Sequence, residues 1–172
     1  MTIPPANREV RAAPPLATYE MVFPGDLNSG GVMFGGRVVA LMDLCAGMCV
    51  SRWARRAAVT ASIDAIQFRA PVRQGQMIET RARIIYVGNT SCMVHCRVTA
   101  QNVVTGDACF TCEGYFTMVC LDENARPVAL PLIPVETPEQ QQDWQLAEHI
   151  KAQLLARRAA AEPVPARPEA SV

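Results

Sequence analysis

The chain is expected to fold as an α+β domain, an antiparallel β-sheet wrapped around a central buried α-helix, with a further helix at its C-terminal end. Three observations predict this. Residues 35–53, GGRVVALMDLCAGMCVSRW, are apolar or small between Arg37 and Arg52 except at Asp43, the composition of a helix covered on every side by other structure. Four segments of strand character then follow in succession, joined by short turns, the pattern of an antiparallel sheet. Beyond Pro131 and Pro134, helical spacing returns over residues 135–161.

Length and composition bound the rest. A chain of 172 residues fits one domain with a core large enough to fold without staples. We expect a disordered Pro/Ala-rich leader over residues 1–15, the domain over 16–134, the C-terminal helix over 135–161 and a disordered tail over 162–172. Lys plus Arg and Asp plus Glu each total 16, so no excess of positive charge points to nucleic acid. The longest apolar run, residues 38–50, is too short to span a bilayer, and the first residues lack the apolar core of a signal peptide, so neither a membrane nor export is expected. Seven cysteines, an odd number set inside apolar runs, read as buried free thiols of a reducing, cytoplasmic compartment. Cys109 and Cys112 have C-x-x-C spacing on a strand, which separates their side chains and argues against a shared metal.

Element by element, residues 16–23 alternate as a strand and are closed by Pro24 and Gly25, and DLNSGGVMFGG is a loop leading into the helix at Gly35 and Gly36. VTASIDAIQF changes its apolar parity near Ala65 and Ile66, which predicts a β-bulge. MIETRARIIYV is expected to put Ile78, Ala82, Ile84 and Tyr86 on one face. SCMVHCRVTAQ puts Cys92, Val94, Cys96 and Val98 on that face, and ACFTCEGYFTMVCL adds Phe110, Cys112, Phe116 and Met118. One sheet face cannot cover a helix that is apolar all round, so a second copy of the chain is expected to help cover it or to extend the sheet. In the last segment Thr137 is the expected N-cap and Pro138 the first helical residue. Trp144, Ala147, Ile150, Leu154 and Arg158 fall at helical spacing, a stripe for docking on the domain or on a neighbour.

Asp43 is the residue that asks for an explanation. An ionised carboxylate in an apolar segment is costly unless something pairs with it, so it is either a satisfied core acid or there for chemistry. Asn28 alone would be read as a turn former, His95 as structural, and Asp64 as locally paired.

The order of elements is that of the hotdog fold, and the motifs come closer still. PGDLNSGGVMFGGRVVALMD resembles the signature N-x-x-G-x-x-FGG-x-x-x-x-x-MD of the acyl-CoA thioesterases of the brain-type hydrolase group and their single-domain bacterial relatives, with Asn28, Gly31, Phe34, Gly35, Gly36, Met42 and Asp43 in place. TASIDAIQFRAPVRQGQMI, from Thr60, resembles the family's following strand and turn, GNTS its G-x-T-S turn, and DENARPVALP its end of the last strand.

The resemblance implies hydrolysis of fatty acyl-CoA to free acid and CoA, without metal or redox cofactor, by a homodimer whose sites are shared and which can assemble as a trimer of dimers. Unpaired N–H groups of Gly35 and Gly36 at the helix N-terminus would polarise the thioester carbonyl. Asp43, across the cleft beside that carbonyl, would act as general base or as nucleophile. Asn28 would orient the water or the carbonyl, and in the family it faces Asp43 of the other subunit. Phe34, Arg37, Thr60, Arg69, Arg73, Asn89, Thr90, Ser91 and Arg126 are the candidates for substrate and CoA contact. Ala70 stands where relatives often carry a basic residue, and Gln76 where they carry Asp. Two other classes compete: an acyl-CoA sensor, which would usually carry a DNA-binding segment, and a hydroxyacyl thioester dehydratase, which would need a histidine near the helix.

Overall fold

The computed structural model describes residues 8–160. In order these form strand β1 (Leu16–Met21), a short 3-10 turn (Pro24–Asp26), helix α1 (Gly35–Ala54), strands β2 (Ala57–Phe68), β3 (Gln76–Val87), β4 (Ser91–Asn102) and β5 (Ala108–Leu121), and helix α2 (Pro138–Ala160). The strands make one antiparallel sheet in the order β1-β3-β4-β5-β2, so β1 and β2 are its two edges.

The core lies between α1 and one face of the sheet. Val38, Leu41, Met42, Cys45, Cys49 and Trp53 of the helix meet Cys92, Val94, Cys96 and Val98 of β4 and Phe116 and Met118 of β5. The thiols take part as small hydrophobes with weak donors: the Cys45 thiol points at the Thr80 carbonyl oxygen at 3.3 Å and that of Cys49 at Ala82 at 3.6 Å. Burial pushes the Cys49 thiol up to about 11, which leaves it unreactive. Cys112 is buried and Cys109 exposed, as expected of the C-x-x-C spacing on a strand.

The other face of the sheet receives α2. Thr137 caps this helix, its hydroxyl accepting the Gln140 N–H at 3.2 Å while the Gln140 side chain accepts the N–H groups of Glu136 and Thr137. Ala147 and Ile150 pack on Ile85 and Met93, so the stripe docks on its own domain. The Arg158 side chain lies outside the described residues.

Three expectations need correcting. Tyr86 does not share the α1 face with Ile84, because a register shift between the two turns it under α2, where its ring meets Trp144 at 4.5 Å. Phe110 likewise faces away from α1, beyond a shift between Val98 and Thr99, with the Arg97 guanidinium 4.5 Å above its ring. Residues 8–15, expected in a disordered leader, are tied to the domain: Arg8 donates to the carbonyls of Leu130 and Gly88, and Arg11 to that of Trp53 at 2.7 Å. Arginine-to-carbonyl bonds have no periodicity for a sequence to display. Residues 1–7 and the expected tail over 162–172 lie outside the described residues. Among the described residues no helix is long and apolar enough to cross a membrane.

Candidate active site

Within one chain, α1 is not covered on every side. Leu44 is 57% exposed and Met48 39%, and with Asp43, Gly47 and Ser51 they form a stripe that faces the edge strand β2. Between stripe and strand lies a cleft of about 500 Å³, floored by Val59, Thr60 and Met118. Asp43 is half-buried at its wall. Its Oδ1 accepts a hydrogen bond from the Thr60 hydroxyl, which also touches the Met118 sulfur at 3.4 Å. The carboxylate is therefore held by one side-chain donor and turned to an open, mostly apolar cleft. Helical spacing carries the signal that would have found the rest of the stripe, since Leu44, Gly47, Met48 and Ser51 stand one, four, five and eight residues beyond Asp43.

The N-terminal end of α1 is the second part. Phe34 is the N-cap and offers no side-chain bond, and the N–H groups of Gly35 and Gly36 donate to no group among the described residues. They are orphan donors at the positive end of the helix. A Cβ at Gly35 would press on the Phe68 ring at 3.3 Å, and one at Gly36 would overlap Phe34, so only glycine leaves this backbone open with both rings in place. Asn28 shapes the loop leading in: its Oδ1 accepts the Gly30 N–H at 2.8 Å, and Gly31 follows with a φ of 72°. Its side-chain NH₂ is not engaged among the described residues, so a donor is left over for a ligand.

The helix separates these two parts. Asp43 lies eight residues beyond Gly35, a rise of about 12 Å. Within one chain, Gly35 and Gly36 and the Asp43 carboxylate therefore stand about two helical turns apart, as the spacing of the motif already gives.

The basic candidates also divide. At the N-terminal end of α1, Arg37 is occupied by Glu20 at 2.8 Å and Asp26 at 3.5 Å, and Arg69 by Glu113 at 3.2 Å. Arg73 is exposed in a turn that the Gln76 side chain closes by accepting its N–H at 2.7 Å. Asn89 and Thr90 belong to the β3–β4 turn and Ser91 opens β4; Thr90 and Ser91 line a crevice with Tyr86 and Lys151 on the α2 side of the sheet, not in the Asp43 cleft. Arg126 is exposed beyond β5, at the end of the sheet near the C-terminus of α1.

His95 sits on the α2 face, 3.2 Å from Glu113 and stacked on Tyr115. Burial lowers its pKa, against an opposing pull from the Glu113 hydrogen bond. It is on the opposite side of the sheet from Asp43. Asp64 accepts the Ser62 hydroxyl at 3.0 Å, the local pairing expected of it.

Comparison with known proteins places this geometry. The family model of the thioesterase superfamily matches residues 30–106, from the loop before α1 past the end of β4. The uncharacterised acyl-CoA thioester hydrolase YkhA of Bacillus subtilis is 33% identical over 119 residues, 69% of this chain and 69% of that protein. The chain belongs to the acyl-CoA thioester hydrolase family. Its fold is the hotdog fold of that superfamily. A crystal structure of a hexameric acyl-CoA thioesterase superposes with a TM-score of 0.81 at 32% identity, over 86% of this chain and 94% of the other. The acyl-CoA hydrolase of Staphylococcus aureus, solved with butyryl-CoA, CoA and CoA disulfide, gives 0.78 at 27% identity, over 85% and 89%.

Proposed function

We propose that the chain hydrolyses fatty acyl-CoA to the free acid and CoA, with Asp43 as general base, at two equivalent sites each built from two protomers. The observation that carries this is Asp43 itself, a carboxylate held by Thr60 against an open apolar cleft in a chain of this family. A water bound to the carboxylate loses its proton to it as the oxygen attacks the thioester carbon. The developing oxyanion is taken by orphan N–H groups at Gly35 and Gly36. Collapse breaks the C–S bond, and the proton held by Asp43 passes to the leaving thiolate. The reaction as written uses water, one carboxylate and backbone donors, and needs no metal or redox cofactor.

The rise of about 12 Å between donors and base is what calls for two chains. Strand β2 is a twelve-residue edge with no buried residue, and Val59, Ile63 and Phe68 on it are exposed. An edge of that length and apolarity is a template for pairing. Antiparallel pairing of two β2 strands about a two-fold axis brings the N-terminal end of one α1 beside the Asp43 cleft of the other. Asn28 then orients the water or the carbonyl from the partner. A related acyl-CoA thioesterase is hexameric, the size that three such dimers would make.

The test is release of free thiol from acyl-CoAs of graded chain length by the native chain and by Asp43→Asn. Native turnover with a loss of roughly 10² to 10⁴ in kcat for the variant, its fold and mass unchanged, is the expected result. Retention of native kcat by Asp43→Asn would overturn the assignment of the base.

A further inference from the structure

Two arginines at the C-terminal end of α1 have no part in the chemistry above. Arg55 is the C-cap of the helix, in the left-handed conformation with a φ of 55°. Glycine is the usual residue there, because a Cβ is strained in that conformation. Arg56 follows it, and both side chains are exposed. Neither is paired with a carboxylate among the described residues, whereas Arg37, Arg69, Arg81 and Arg83 each are. The acid that feels Arg55 is Glu9, already held by Arg11 at 2.7 Å.

Their position is what matters. The Asp43 cleft runs along α1 as far as Ser51 and along β2 as far as Ala58, and Arg55 and Arg56 form the link between those two elements. From Asp43 to Arg55 the helix rises about 18 Å. The pantetheine arm of CoA, from sulfur to first phosphorus, spans as many bonds as about four extended residues, or about 15 Å. A thioester seated at Asp43 with its arm along the cleft delivers its phosphates to this end of α1. Arg126 is at the same rim, since Leu121 pairs with both Ala57 and Pro127. Of the arginines at the other end of α1, Arg37 and Arg69 are each paired with a carboxylate, and Arg73 stands exposed in the turn after β2.

We infer that Arg55 and Arg56, with Arg126, form the phosphate-binding rim that holds the nucleotide end of CoA. The inference rests on the hydrolase reading and deepens it. A bland account exists: cations at a helix C-terminus are favourable to the helix dipole. That accounts for positive charge, but it does not account for arginine in place of glycine at a φ of 55°.

The experiment compares kcat/KM for one acyl group carried on CoA and on pantetheine, in the native chain and in the double variant Arg55→Gly/Arg56→Ser. Arginine–phosphate contacts predict a loss of about tenfold or more on acyl-CoA, expressed in KM, with less than about a twofold change on acyl-pantetheine. Relief of the left-handed arginine predicts that Tm does not fall. Equal losses on both esters, or no loss on either, would overturn the rim. Should the native chain turn over neither ester, it is the hydrolase reading that fails. Calorimetric binding of CoA then decides the rim: binding about tenfold weaker in the double variant upholds it, and equal binding overturns it.

Discussion

A carboxylate, a hydroxyl and a histidine show how much environment decides at the scale of single residues. Asp43 and Thr60 are 17 residues apart in sequence, and only the packing of α1 beside β2 brings the hydroxyl to the carboxylate. His95 is the opposite case, a titratable group remote from the cleft whose charge state bears on stability. Its folded pKa is lowered, chiefly by burial, with Glu113 pulling the other way. The unfolded chain, near the ordinary value of about 6.5, therefore binds the proton more readily, and stability is lost as pH falls through that value. Thermal melts of the native chain are expected to show Tm decreasing between about pH 7.5 and 5.5, and His95→Gln to flatten that slope. Parallel slopes for the two proteins would remove His95 as its source.

Among the elements, β2 is the one whose irregularity matters most. The parity change in ASIDAIQF is legible in sequence, and the structure has the bulge there: the register with β5 jumps between Asp64 and Gln67, and Ala65 has a φ of 50°. What it accomplishes was not legible. The bulge lays Ile66 over Gly114 of β5, and a Cβ at Gly114 would overlap the end of Ile66 and lie 3.4 Å from the Met42 methyl. The glycine is there because strand, bulge and helix converge on its missing side chain. Gly114→Val is expected to cost about 1–3 kcal/mol by overpacking. Calorimetry should show it as a Tm lower by several degrees, about 2–4 °C for each kcal/mol in a chain of this size. An unchanged Tm would mean that Ile66 simply turns away.

For the whole molecule, the separation of Asp43 from the orphan amides along one helix becomes a statement about assembly. If each site takes Asp43 from one protomer and Asn28 from its partner, a dimer of one Asp43→Asn chain and one Asn28→Ala chain has one doubly damaged site and one intact site. Mixed and refolded in equal amounts, two nearly inactive variants are expected to recover about a quarter of native kcat, since half of the dimers are mixed and each has one good site of two. Recovery no greater than the sum of the separate variants would show that each chain works alone.

Sequence by itself determined the antiparallel sheet, the apolar helix, the capped C-terminal helix and the glycine–aspartate motif. Each of these depends on local composition and periodicity, and on residues in one continuous stretch. It also flagged α1 as needing more cover than one sheet face supplies, which the exposed Leu44 and Met48 bear out. Only the tertiary structure decided that Tyr86 and Phe110 leave the core face, because register shifts depend on the neighbouring strand. It alone decided which arginines are free, because Glu20, Asp26 and Glu113 reach Arg37 and Arg69 through the fold and not along the chain. And it alone brought the Thr60 hydroxyl to the Asp43 carboxylate, because the two stand on different elements 17 residues apart, whereas the rise of about 12 Å between base and oxyanion donors is already set by the eight-residue spacing within one helix.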